Sequence, residues 1–203
     1  MYQSLKDYSV KETGYRLQVF NSDCDNPLHW GGSDIQWVML HRGYQLENTT
    51  DITSENFSGW GKMSDYIDQE FDPALIIPVY MLDHSGLSLS IHSFNDGWDS
   101  GQIGFVFMSK EVLKRNYQDD ENTAISAIEG ELLIYTNYLN GECYRLELYH
   151  DGNLLESSDG FYGSNFNTNS IKECIEEYVS TEIAEELVAN LEIYDKGEVE
   201  KYE

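Results

Sequence analysis

Apolar and polar residues alternate along much of this chain in the pattern of β-strands, most densely from Pro78 to Lys110. Apolar runs occupy 75–82 and 103–108, and between them apolar and polar residues alternate over 87–92. This pattern predicts three strands, because successive side chains of a strand point to opposite faces. Residues 83–86, Asp-His-Ser-Gly, suit a tight turn, so the first two strands are predicted to form a hairpin.

Further strands are predicted on both sides of this stretch, at 15–20, 35–42, 143–150 and 153–157. The 35–42 segment is mostly apolar, and we expect it to lie in the centre of a sheet. Asp151-Gly152 predicts a second hairpin. The loop from Asn95 to Gln102 carries one large aromatic residue, Trp98, which we expect to pin the loop to the sheet.

Apolar residues spaced three and four apart predict a long helix from Glu121 to about Asn140. Shorter helices are predicted at 64–71 and 111–117. A further helix begins after Asn169, with Ser170 and Glu173 as a possible capping box. Together these elements predict one α+β domain, residues 1–203. Its mainly antiparallel sheet should have about five to seven strands and two or three packed helices, including an acidic C-terminal helical segment at 168–203.

Charge is the most unusual property of the composition, with 37 acidic against 12 basic residues and a net charge of −25. Such a charge repels nucleic acid and anionic membranes and attracts basic surfaces over roughly 8 Å at physiological salt. We therefore expect no direct nucleic-acid binding and no membrane association. The three cysteines lack CxxC spacing, and the N-terminus lacks an apolar signal segment, so we expect a cytoplasmic protein without a disulfide framework.

The acidic residues are densest near the C-terminus, where 168–203 holds 11 acidic and three basic residues. Two interpretations stay open: a solvated helix face, or a row of carboxylates that imitates nucleic-acid phosphates. Under the second, the partner-binding residues are Glu176, Glu177, Glu182, Glu185 and Glu186. An alternative contact loop is formed by Asp96, Trp98 and Asp99, since tryptophan dominates binding hot spots and acidic residues around it suit a basic partner.

Signals for catalysis or metal binding are weak. Asp83, His84 and Ser85 are adjacent, whereas a nucleophilic triad needs side chains converging from separate elements. Asp83, Asp96 and Asp99 are the candidates for a calcium site, but their spacing does not match an EF-hand. We expect no cofactor, no metal and no catalytic residues.

Two segments carry a family resemblance: DHSGLSLS at 83–90 and FNDGWDSGQIGFVF at 94–107. They resemble a family of small acidic proteins carried by bacteriophages and other mobile elements of gut bacteria, and the similarity extends over about residues 23–163. Relatives often carry a cysteine where this chain has Asn95-Asp96-Gly97, which argues against a cysteine nucleophile here. Because mobile-element proteins of this size and charge include antirestriction and anti-CRISPR inhibitors, the resemblance implies a counter-defence role.

The sequence hypothesis is a non-enzymatic inhibitor in the cytoplasm of a bacterial host. Its partner would be a basic nucleic-acid-binding protein such as a CRISPR effector nuclease, occluded by the acidic, aromatic-containing surface. The alternative is an enzyme or ligand-binding protein that degrades or sequesters a nucleotide-like signal. Its pocket would be formed by Asp83–Ser85, Trp98–Gln102 and Gly160–Gly163, with Arg42 and Arg145 as cations. A phage structural or assembly protein is a third possibility.

Overall fold

A computed structural model describes residues 6–10, 13–29, 34–46, 48–95 and 97–193 of the 203-residue chain. Within these residues the chain forms eight antiparallel strands and five α-helices, which confirms the α+β class. In chain order they are β1 (Lys6–Val10), β2 (Tyr15–Asn21), β3 (Gln36–Met39), α1 (Trp60–Phe71), β4 (Pro73–Asp83), β5 (Leu87–Ser90), β6 (Ser100–Ser109), α2 (Lys110–Tyr117), α3 (Glu121–Leu139), β7 (Cys143–His150), β8 (Asn153–Tyr162), α4 (Ile171–Glu176) and α5 (Thr181–Ile193).

The strands form two four-stranded sheets, each in its own compact unit, rather than one sheet. One unit comprises Met1–Asp25 and Gly141–Glu203, and the other comprises Asn26–Asn140. Whether the two units form one domain depends on how they are joined, so the assignment of residues 1–203 to a single domain stays a prediction. None of the helices in the described part of the chain has the length and apolar character needed to cross a membrane.

The unit at 26–140 contains the sheet β3-β6-β4-β5, which is covered by helices on both faces. From 105 to 108, alternate residues of β6 divide between the two faces, and Val106 packs in the same core as Ile128 of α3. Phe105 and Phe107 pack with Ile67 of α1. Because both faces are buried there, β6 is continuously apolar over 105–108 rather than alternating with polar residues.

The expectation that 35–42 forms a central strand is wrong, because β3 is the edge strand of its sheet. Its outer edge is occupied by a loop: Thr49 Oγ1 accepts a hydrogen bond from Trp37 N at 2.7 Å, and Thr49 N donates to Trp37 O at 3.0 Å. Asn48 Oδ1 accepts from Met39 N in the same way. The strand is apolar because both its faces are buried, and the loop satisfies backbone groups that an edge strand would otherwise expose.

Gly104 allows β3 and β6 to approach closely. A Cβ atom built at Gly104 would lie 1.7 Å from the Val38 carbonyl oxygen and 2.8 Å from the Val38 carbonyl carbon. These distances are far below van der Waals contact, so only glycine fits without movement of the backbone. In contrast, a Cβ at Gly101 in the same strand would meet nothing within 4 Å.

The other unit contains the sheet β1-β2-β7-β8, packed against α4 and α5. The expected C-terminal helix is divided in two between Glu176 and Thr181. The capping box predicted for Ser170 and Glu173 is wrong: Ser170 has a left-handed backbone and makes no side-chain cap. Instead Asn169 Oδ1 accepts the Ile171 N–H at 3.2 Å, which satisfies a backbone donor at the start of α4.

Candidate functional site

The turn between β4 and β5 is the predicted hairpin, and its backbone is held in place by α3. Ser85 and Gly86 close the turn with φ angles of 59° and 138°. The Asn140 side chain, directly after α3, accepts the Leu87 N–H at 2.8 Å and donates to the Leu87 carbonyl at 2.8 Å. This pair of hydrogen bonds imitates a strand partner for Leu87 and fixes the position of the hairpin relative to α3.

The hairpin brings Asp83 beside the loop that precedes β6. Asp83 N donates to the Asp99 carbonyl at 2.8 Å, and His84 Nδ1 lies 3.4 Å from Asp99 Oδ2. Tyr44 Oη donates to Asp83 Oδ2 at 2.6 Å, and this hydrogen bond raises the pKa of Tyr44 above its ordinary value. The His41 ring packs on Tyr44 with centroids 5.1 Å apart. Each of the two carboxylates therefore has a polar partner from a different segment.

A pocket of about 310 Å³ opens beside these residues. It is lined by His41, Met81, Asp83, Trp98, Asp99, Ser100, Gly101, Gln102 and Ile103. The Gln102 amide donates to the Gly104 carbonyl at 3.1 Å, which orients it along β6. The lining thus combines two carboxylates, an imidazole and an amide, and it contains no lysine or arginine among the residues that the structure describes.

Trp98 stands at the rim of this pocket with 97% of its surface exposed. The expectation that it pins the loop to the sheet is therefore wrong. The loop is instead attached through the backbone of Asp99 to Asp83, so the indole is not needed to hold it. Asp96, the third residue of the predicted contact loop, lies outside the described residues.

The carboxylates of this loop do not assemble a metal site in the part of the chain that the structure describes. No group of three or more histidine, cysteine, aspartate or glutamate side chains there has a suitable arrangement. Of the three candidate calcium ligands, Asp83 accepts from Tyr44, Asp99 faces His84, and Asp96 lies outside the described residues.

The five predicted C-terminal glutamates are divided between α4, the segment after it and α5. Glu182, Glu185 and Glu186 are exposed on the first turns of α5, and Glu177 is exposed in the segment before it. Glu176 is half-buried, with Oε1 3.9 Å from the Lys172 ammonium. Lys172 also lies 2.9 Å from Glu185 Oε1, and this contact raises the pKa of Lys172. One basic residue therefore offsets part of the negative charge at two of the five positions.

Two residues that shape the site, Tyr44 and Asn140, were not predicted from the sequence. Tyr44 contacts a residue 39 positions away, and Asn140 contacts one 53 positions away. Neither contact has a short-range signal, since the partners come from segments joined only by the fold. The Gly160–Gly163 segment, predicted to contribute to the same pocket, belongs to the other compact unit, where 160–162 complete β8.

Comparisons with protein-family models, curated proteins and solved structures find no match to this chain. The chemistry of the candidate site is therefore interpreted from its own residues. Those residues present an exposed indole, carboxylates and a small polar pocket, which is an arrangement suited to binding.

Proposed function

We propose that this protein is a non-enzymatic inhibitor that binds a bacterial nucleic-acid-targeting defence protein. The exposed Trp98 ring carries the proposal. A tryptophan at 97% exposure contributes almost no burial to its own fold. Tryptophan is also among the residues most enriched at the energetic centres of protein interfaces, where its large ring is desolvated by the partner.

The charge supports a basic partner. The protein has a net charge of −25 and presents Glu182, Glu185 and Glu186 on one end of α5. A helix rises 1.5 Å per residue, so these three carboxylates occupy about 6 Å of helix axis. B-form DNA carries a charge every ~1.7 Å of axis, and the net density on α5 is lower than this because Lys172 offsets part of the charge of Glu185. A groove that normally binds nucleic acid would therefore attract this surface.

The resemblance to mobile-element proteins directs the first test to CRISPR effector nucleases and restriction enzymes. Tagged protein is incubated with each purified nuclease, with and without guide or DNA, over a salt series. We expect capture of a nuclease that falls as nucleic acid or salt is added, because both compete for the same cationic groove. Failure to capture any of these nucleases at low salt would contradict the proposal.

A charge-matched pair of variants separates the location of the charge from its amount. The triple variant Glu182→Gln, Glu185→Gln, Glu186→Gln and the control Glu111→Gln, Asp119→Asn, Glu121→Gln each remove three exposed carboxylates. If α5 contacts the target, only the first variant should weaken capture. Equal weakening by both would assign the effect to net charge, and contact by α5 would be refuted.

The pocket beside Trp98 supports a second candidate, the binding of a small ligand. Its volume of about 310 Å³ is at the lower end of ligand sites. A nucleotide phosphate would need a cation such as Arg42, which follows His41 in sequence. Arg145, the other predicted cation, belongs to the other unit, where its guanidinium lies 4.7 Å from the Phe20 ring centroid and 3.3 Å from Glu147.

Thermal-shift measurements with nucleotides and cyclic oligonucleotides test this second candidate. Stabilisation that is lost in Gln102→Ala but kept in the α5 triple variant would favour ligand binding at the pocket. No shift with any nucleotide would remove the nucleotide version of this candidate.

A further inference from the structure

A groove of about 690 Å³ lies between α1 and the loop that follows β3, in the unit at 26–140. It is lined by Gln36, Thr49, Thr50, Asp51, Ile52, Asn56, Phe57, Tyr66, Glu70 and Phe71. None of these residues belongs to the Trp98 site. The groove is therefore a surface feature separate from the pocket beside Trp98.

Aromatic rings line one side of this groove in a connected series. The Phe57 and Tyr66 ring centroids are 5.3 Å apart, those of Tyr66 and Phe71 are 6.4 Å apart, and Phe71 lies 5.0 Å from the buried Phe107. Tyr66 and Phe71 are each 41% exposed. The series thus runs from the core to the solvent, with ring faces and edges available to a partner group.

Among the described residues that line the groove, the charged side chains are carboxylates. Asp51 and Glu70 are exposed, and no ion pair neutralises either of them among the described residues. The described lining contains no lysine, arginine or histidine. Glu70 lies four residues after Tyr66 on α1, so its carboxylate and the phenol ring are neighbours on one helix face.

A carboxylate beside aromatic rings has a definite chemical preference. Cations are attracted to the faces of aromatic rings, and the attraction grows when water is displaced. Arginine fits both features best, because its planar guanidinium stacks on rings and donates paired hydrogen bonds to a carboxylate. Thr49 Oγ1 already accepts from Trp37 N and lies 3.4 Å from Gln36 Oε1, so the rings and the carboxylate are the groups that would select the ligand.

We propose that this groove binds an arginine side chain in a basic segment of a partner protein, with Tyr66 and Phe71 contacting the guanidinium plane and Glu70 pairing with it. The site is separate from Trp98. Gln36, in the groove, pairs with Phe107 near one end of β6, whereas Trp98 precedes Ser100 at the other end. Ser100 and Phe107 are seven positions apart along the strand, or roughly 23 Å at 3.3 Å per residue. The proposal goes beyond the inhibitor role and does not depend on it.

Fluorescence anisotropy with short labelled peptides tests the proposal on the full chain. One peptide alternates arginine and glycine, a second replaces arginine by lysine, and a third replaces it by citrulline, which is neutral but of almost the same shape. We expect the arginine peptide to bind, the lysine peptide to bind more weakly, and the citrulline peptide not to bind. Equal binding of the arginine and citrulline peptides, or no binding of either, would overturn the proposal.

Variants then locate the peptide. Glu70→Gln and Tyr66→Ala should each weaken arginine-peptide binding about tenfold, whereas Tyr66→Phe should keep it because the ring remains. Glu111→Gln removes the same charge from α2 and should change affinity less than twofold. If Glu111→Gln weakens binding as much as Glu70→Gln, the attraction is a property of net charge and the site is refuted.

Trp98→Ala distinguishes this proposal from the inhibitor role. The peptide should bind that variant normally even if nuclease capture is lost. Loss of peptide binding in a folded Trp98→Ala variant would place the peptide at the Trp98 loop and overturn the assignment to the groove. Circular dichroism of each variant shows whether it is folded, and Tyr66→Phe and Glu70→Gln keep the test available if Tyr66→Ala does not fold.

Discussion

Replacing Trp98 by alanine should leave the stability of the fold almost unchanged. A tryptophan side chain can bury about 200 Å². At 97% exposure only about 6 Å² is covered, which corresponds to about 0.15 kcal/mol at 25 cal/mol per Å². Trp37, which is 1% exposed, is the matched control, and its truncation should lower the free energy of unfolding by about 3–5 kcal/mol. Urea unfolding followed by circular dichroism measures both changes.

The same substitution should have a large effect on target binding if the Trp98 ring is buried by a partner. Complete burial of about 200 Å² sets an upper bound near 5 kcal/mol, and truncation of interface tryptophans commonly costs about 2–4 kcal/mol. Affinity for the captured nuclease, measured by calorimetry, should therefore fall by about 30-fold to 1,000-fold. A Trp98→Ala protein that is folded and inhibits like the wild type would refute the role of this ring. Loss of more than about 1 kcal/mol of stability would contradict the exposed position itself.

Three further predictions concern the two units. Gly104→Ala should lower the free energy of unfolding in urea by about 3 kcal/mol or more, because its Cβ would collide with a β3 carbonyl. The control Gly101→Ala should lower it by less than about 1 kcal/mol. Similar losses for the two variants would contradict the close approach of β3 and β6. Burial raises the pKa of the Cys143 thiol to about 12, so this thiol should resist a thiol reagent at pH 8 until denaturant is added; equal labelling of all three cysteines without denaturant would be inconsistent with that. A hydrogen bond from Arg16 lowers the pKa of Asp7, so Asp7→Asn should cost about 1 kcal/mol at pH 7. That cost should shrink as the pH falls below 3.8, because the contribution of a carboxylate with a lowered pKa is lost as it is protonated; a pH-independent cost would exclude the ionic contribution.

Local sequence signals predicted the elements that depend on local chemistry. The turn at 83–86 and the Asp151-Gly152 turn both form the expected hairpins. The long helix spans Glu121–Leu139, within a residue or two of its predicted limits. In each case the decisive residues are adjacent: glycines that accept positive φ, or apolar residues that recur at helical spacing.

Signals that depend on distant partners were not available from the sequence. β1 was missed, and Asp7 on this strand is stabilised by Arg16 and Gln18 of β2, nine and eleven positions away. The mostly apolar 35–42 segment predicts a central strand because apolar residues on both faces are typical of that position. Burial of the faces and pairing of the edges are separate properties, and only the fold shows that Asn48 and Thr49 occupy the outer edge of β3.

The candidate binding sites show why charge alone is a poor guide to a contact surface in this protein. Acidic residues are so frequent that they surround almost any feature, and Lys172 offsets part of the charge of Glu176 and Glu185. Exposed aromatic side chains are fewer, and each one forgoes the stabilisation that burying its ring in the core would provide. The positions of Trp98 and of the Tyr66–Phe71 pair therefore indicate a contact surface more specifically than the positions of the glutamates do. Charge would bring a basic partner close from several ångströms away, and the aromatic side chains would determine where it binds.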